Sequence, residues 1–317
     1  MKKFNVSIRV LALTLLIGGL SSCSNRDNLL DENVTSEKEI ILGEINELAF
    51  NGNILSRAVE STPVSNLEKF FEGKLICMYV DKVTGDNTVE ALYDRRYLTV
   101  ENNQLVMPEK LYYPSDGSVN IYVVAASPFS TASDANTAKP TQFYQYCQGW
   151  QPDSNSDFLY AKLENVTASS NPLSLQFKHL GTKISVAVTT PDNSKLTKIR
   201  VLNTRCQSIY NMDDGTYKET TDAVNGAIEM SLSNALNNNF TSTPINYASV
   251  YVAPQPIESG AQFIEFTFDG KTYFYTLAAA TTFESEHEYK FNITLKEKDT
   301  LARSGSDMEV VCVNENF

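Results

Sequence analysis

Alternation of apolar and polar residues with a period of two runs through this chain. It restricts the chain to half-buried β-strands, because successive strand side chains point to opposite faces. Leu173, Leu175 and Phe177 alternate with Ser174, Gln176 and Lys178, and Ile184, Val186 and Val188 alternate with Ser185 and Ala187. Between Phe263 and Leu277, two runs of strand formers flank Asp269-Gly270, a two-residue hairpin turn whose central positions both need positive φ. Pairing outward from that turn sets Phe268 opposite Lys271, Phe266 opposite Tyr273 and Ile264 opposite Tyr275. A slip of one residue would turn this aromatic and aliphatic face to water. Glu288 to Leu295 follows the same rule, with Tyr289, Phe291, Ile293 and Leu295 inward. Further strands are expected at 75–80, 97–100, 119–126, 196–202, 226–232 and 249–252, with one short helix at 65–71. Many short strands with little helix predict an all-β chain built as sandwiches or barrels.

The 317 residues suffice for about two domains, and 42% are hydrophobic, enough for ordinary cores. A formal net charge of −12 leaves no basic stripe for phosphates, which excludes nucleic acid as a main partner. Only two histidines, His179 and His287, are present, so histidine metal sites and histidine catalysis have almost no material. No Gly-rich phosphate loop, H-E-x-x-H or G-x-S-x-G occurs. The expectation is a non-enzyme without cofactor or metal. His179, at a strand end, and His287, between Glu286 and Glu288, read as structural or surface histidines. Asp213-Asp214-Gly215 lacks the remaining ligands of a calcium loop and reads as a turn. After the first, the cysteines are Cys77, Cys147, Cys206 and Cys312, far apart and without a C-x-x-C pair. In an exported protein they allow three disulfide pairings, although Cys77, inside Leu75-Ile76-Cys77-Met78-Tyr79-Val80, reads as a small buried hydrophobe.

The N-terminus sets the compartment. Lys2, Lys3 and Arg9 precede an apolar run from Val10 to Leu20, the layout of a secretory signal and too short to span a bilayer. Leu20-Ser21-Ser22-Cys23 then resembles a bacterial lipobox. Residues 1–22 are expected to be removed and Cys23 acylated, and several acyl chains hold a protein stably on a membrane. The following segment begins polar and acidic and turns apolar from Glu39 to Phe50, where Ile40, Ile41, Leu42, Ile45, Leu48 and Phe50 predict one strand. Asn51-Gly52-Asn53 punctuates it, and Arg57 stands isolated in Ile54-Leu55-Ser56-Arg57-Ala58.

The lipobox, Ser56-Arg57-Ala58, Asp157-Phe158-Leu159-Tyr160-Ala161, Leu175-Gln176-Phe177-Lys178-His179 running into Lys183-Ile184-Ser185-Val186, the Pro254-Gln255 pair and the closing Glu288 to Leu295 occur in this order. Together they resemble the fimbrillin-like lipoproteins, building blocks of the type V pili of Gram-negative anaerobes. The resemblance spans residue 1 to about 295. It implies two tandem transthyretin-like β-sandwiches, at 58–179 and 180–317, preceded by a lipidated tether and propeptide strand at 23–57. It also implies an outer-membrane and cell-surface location, a protease cut between Arg57 and Ala58, and assembly with other fimbrial subunits by strand donation, with a role in adhesion. The tail departs from the family pattern. Polar Lys296 to Asp307 leads into Met308 to Phe317, with Met308, Val310 and Cys312 on one side of a strand and Val311 and Val313 on the other. This is either a donor strand or the edge strand of its own domain, which leaves stalk, tip and anchor roles open. The alternative is a monomeric surface lipoprotein that binds a glycan or host protein through Phe143, Tyr144, Tyr146 and Trp150.

Overall fold

A computed structural model describes residues 38–51, 61–126, 138–146, 149–150, 157–205, 207–221, 226–241, 244–298 and 308–316. The Asp269-Gly270 hairpin forms between Gln262–Phe268 and Lys271–Thr276. Phe268 lies opposite Lys271, Phe266 opposite Tyr273 and Ile264 opposite Tyr275. Both turn residues have positive φ, 49° for Asp269 and 74° for Gly270, the backbone that this turn demands. Alternation also places Leu173–His179, with Leu175 and Phe177 buried, whereas in Thr182–Thr189 Ser185 and Ala187 are buried along with Ile184, Val186 and Val188, because this inner strand is covered on both faces.

Nearly all regular structure is strand. The largest sheet runs in the order Ser61–Pro63, Leu42–Leu48, Leu173–His179, Leu159–Val166, Ser118–Ala126, Leu75–Val83, Val89–Glu101 and Gln104–Val106. Its inner face and the facing loops form one hydrophobic cluster, drawn from residues between Ile40 and Phe177. A second cluster, from Ile184 to Met308, lies between two five-stranded sheets. One of these has Thr182–Thr189 between Ala248–Val252 and Glu288–Glu297, with Met308–Asn316 outermost. The other is ordered Lys271–Thr276, Gln262–Phe268, Leu196–Thr204, Gly226–Glu229 and Gly149–Trp150.

A smaller cluster, rich in aromatics, draws residues from both halves of the chain, from Cys77 to Met212. Phe143 stacks on Phe158 with ring centroids 4.8 Å apart and on Tyr210 at 5.6 Å. Tyr210 donates its hydroxyl to the Leu180 carbonyl at 2.8 Å, and Tyr160 donates to that of Met212 at 2.9 Å. Gln142–Tyr146 pairs with Gln207–Asn211, so an early strand is completed by a later one.

Three local readings change or lengthen. The strand expected at 226–232 ends at Glu229, and Leu232–Ala235 turns into a helix. The segment 97–100 belongs to a longer strand, Val89–Glu101. The helix at 65–71 contracts to Leu67–Phe70, with the Asn66 side chain accepting the Lys69 N–H as its N-cap. Cys77 is buried, and burial pushes its thiol up to about 11.

Phe291 is fully buried, against Phe263 and Tyr275. Phe291→Ala should lower unfolding free energy by about 3–5 kcal/mol in urea denaturation. At exposed Val89, truncation to Ala should stay within about 0.5 kcal/mol.

Candidate assembly groove beneath the N-terminal strand

The apolar run expected between Glu39 and Phe50 forms the strand Leu42–Leu48, hereafter the leading strand. It lies inside the largest sheet, parallel to Leu173–His179 and antiparallel to Ser61–Pro63. Ile40 and Ile45 are 0% and 3% exposed and belong to the core, which at the usual transfer free energies is roughly 2–3 kcal/mol for each side chain. Backbone bonds seat the strand along its length. Ile40 N donates to Leu111 O at 2.7 Å, Tyr113 N to Lys38 O at 3.0 Å, Leu173 N to Ile41 O at 2.7 Å and Val64 N to Ile45 O at 2.9 Å.

The ladder bulges between Leu42, opposite Leu173, and Ile45, opposite Leu175. Gly43 occupies the bulge, where an added Cβ would stand 2.7 Å from Pro172 Cβ and 3.3 Å from Leu173 O. Only glycine lets the two backbones approach so closely.

At the C-terminal end of the strand a charge cluster surrounds a buried histidine, with Asp157 buried and Glu47 38% exposed. His179 is 5% exposed. Its Nε2 donates to Glu47 Oε1 at 2.8 Å and its Nδ1 to both carboxylate oxygens of Asp157 at 2.9 Å. An imidazole donates from both nitrogens only when protonated. Burial alone would lower the pKa, but the charges and hydrogen bonds of Asp157 and Glu47 outweigh it and hold His179 up at about 9. Phe50 stacks on the ring at 4.1 Å. Beyond it, Asn51 N donates to Glu286 O at 2.8 Å and Glu288 N to Asn51 O at 3.1 Å, so the leading segment touches strands of both large clusters. Beside the histidine opens a cavity of about 360 Å³, lined by Glu47, Lys69, Phe70, Asp157, His179 and Tyr251, among others.

Cys23, Arg57 and Ala58 lie outside the described residues, as do Cys147 and Cys206. Arg57 falls within 52–60, the covalent link between Asn51 and the strand Ser61–Pro63. The tail strand Met308–Asn316 pairs antiparallel with Glu288–Glu297, setting Met308 opposite Glu297, Val310 opposite Leu295, Val311 opposite Thr294 and Cys312 opposite Ile293. Met308, Val310 and Cys312 pack on the second core, while Val311 is half-buried and Val313 is 53% exposed. Phe143 is buried, so it offers no binding platform. Asp213-Asp214-Gly215 is a turn in which Asp214 Oδ1 accepts the Thr216 N–H at 2.9 Å and Asp213 pairs with Lys139. His287 donates from Nδ1 to the Ser285 carbonyl, 2.8 Å away. The group that sequence reasoning missed is Glu47, Asp157 and His179, because Glu47 lies 132 residues from its histidine.

Residues 57–309 match the sequence profile described as fimbrillin-like. The chain belongs to the fimbrillin-like family. Among solved structures, a candidate cell adhesion protein of Bacteroides uniformis is similar, with TM-score 0.53 and 14% identity over 86% of this chain and 98% of that one. A candidate cell adhesion protein of Bacteroides ovatus has TM-score 0.53 and 16% identity over 87% and 97%. At such identities the likeness is one of fold. No curated protein matches the sequence.

Because the folded-state pKa of His179 lies above the unfolded value near 6.5, its stabilisation is complete below pH 6.5 and drains away as pH rises through about 9. It amounts to a few kcal/mol, since a tenfold change in proton affinity is worth about 1.4 kcal/mol. His179→Gln should therefore be most destabilising near pH 6, and the gap in Tm to the unaltered protein should narrow by pH 9.5. A gap independent of pH would mean that the imidazole is neutral.

Proposed function

We propose that this chain is a structural subunit of a cell-surface fimbria with a role in adhesion. It is exported as a lipoprotein through Cys23, matured by cleavage between Arg57 and Ala58, and assembled with other fimbrial subunits by strand exchange. One observation carries the reading. A strand upstream of Arg57 fills the interior of a sheet whose other strands lie downstream, and its only covalent tie to them runs through residues 52–60. A cut after Arg57 turns the leading strand into a separable ligand. Its departure would bare the pockets of Ile40 and Ile45 and the backbone edge of Leu173–His179, and an added strand satisfies both. Family membership supports the same reading. The two large clusters support a division into sandwiches at 58–179 and 180–317, although Gln142–Tyr146 and Gly149–Trp150 pair with later strands.

Acting as donor, the tail Met308–Asn316 must leave Glu288–Glu297, where it is the outermost strand and is held from one side. A tail that stays home instead suits a terminal subunit.

N-terminal sequencing of surface material should read Ala58-Val59-Glu60, and Arg57→Ala should leave only forms that begin at Cys23. Recovery of uncut chains alone from unaltered cells would contradict the maturation step. Cys23→Ala should abolish labelled palmitate incorporation and release the protein from the membrane fraction, and label that persists would contradict the anchor.

A further inference from the structure

The strands Gln142–Tyr146 and Gln207–Asn211 run antiparallel, one from each half of the chain. Phe143 faces Tyr210, Tyr144 faces Ile209, Gln145 faces Ser208 and Tyr146 faces Gln207. Each step forward along one strand is a step back along the other. Continued by one step, this register sets Cys147 opposite Cys206, both of which lie outside the described residues. Alternation adds a face. Phe143, Gln145, Ser208 and Tyr210 are buried, and Ser208 Oγ donates to Gln145 Oε1 at 3.3 Å. Side chains two apart on a strand share a side, so positions 147 and 206 belong to this inward face.

Both positions are held from their flanks. Beyond Cys147, Gly149 faces Ile228, and before Cys206, Arg205 N donates to Gln255 Oε1 at 3.0 Å. Residues directly opposed in an antiparallel pair have Cα atoms about 4.5–5.5 Å apart, within the roughly 4.4–6.8 Å that a disulfide spans. The other cysteines of the folded body stand elsewhere. Cys77 lies between Tyr97 and Val124 in the largest sheet, and Cys312 faces Ile293 in the tail.

We propose that Cys147 and Cys206 form a disulfide that clamps the two halves of the chain together. The two thiols give up two protons and two electrons, and a protein disulfide of the exported compartment takes them up and becomes a dithiol. Such bonds persist outside the cytosol. The link encloses the passage between the two large clusters. Between residues 147 and 206 the chain lays down Leu159–Val166 and Leu173–His179 in the first, and Thr182–Thr189 and Leu196–Thr204 in the second. It crosses at Leu180 and Gly181, and a Cβ on Gly181 would stand 3.0 Å from Gln145 Nε2. The ladder therefore lies against the crossing, and a covalent tie at its end keeps it there. The inference goes beyond fimbrial assembly and needs only export.

The test uses the full chain from cell envelopes, unfolded and alkylated with iodoacetamide before and after reduction. Without reduction Cys77 and Cys312 should take the label. A tryptic digest should then hold the peptide Cys206–Lys218 joined to the one that ends at Lys162, which carries Cys147. Reduction should separate the two and open both of their thiols to labelling. Dithiothreitol should lower Tm by roughly 5–15 °C, and in a Cys147→Ser, Cys206→Ser double variant it should change nothing. Migration as a monomer in non-reducing electrophoresis should place the bond within one chain. Cys147 and Cys206 both labelled without reduction, or joined to Cys77, to Cys312 or to a second chain, would overturn the inference and leave the fimbrial reading standing. A linked chain that never assembles would support the bond and count against that reading.

Discussion

Everything distinctive in this molecule depends on the seating of Leu42–Leu48 between Ser61–Pro63 and Leu173–His179. Two isoleucines fill the core, a glycine bulge lets the backbones approach, and a carboxylate reaches a buried histidine. Backbone pairing and apolar burial would hold many strands. To these the strand adds one charged contact, Glu47 Oε1 on His179 Nε2 at 2.8 Å.

At a formal net charge of −12, copies of the chain repel one another at long range. That repulsion is largely screened beyond about 8 Å at physiological salt. Any association of subunits must then be secured by contacts made after approach, where screening is weak. The protonated His179, backed by Asp157, adds a buried positive charge that a net charge counted with neutral histidines leaves out.

Local physics was legible in the sequence, and non-local physics was not. The register of the Asp269-Gly270 hairpin follows from turn chemistry and alternation, as do the inward faces of Leu173–His179 and Glu288–Glu297. The break at Met230 was missed because Gly226 to Leu232 is apolar enough for either state, and packing of Leu232–Ala235 decided it. No local rule pairs Gln142–Tyr146 with Gln207–Asn211 or reveals the bulge at Gly43, whose need arises from Pro172. His179 was legible as a structural histidine at a strand end. Its charge was not, because its two carboxylates come from distant segments.

The central claim is that the leading strand is a replaceable part of its sheet, and amide hydrogen exchange along Leu173–His179 tests it most directly. In the uncut protein, Leu173 N donates to Ile41 O, and amides of this strand that bond to the leading strand should exchange slowly. After cleavage and removal of the leading segment those amides should exchange at least about a hundredfold faster, since they become an open edge. Protection should return in assembled polymers. If the amides stay protected after the segment is gone and before any strand is added, the groove does not exist and the account is wrong.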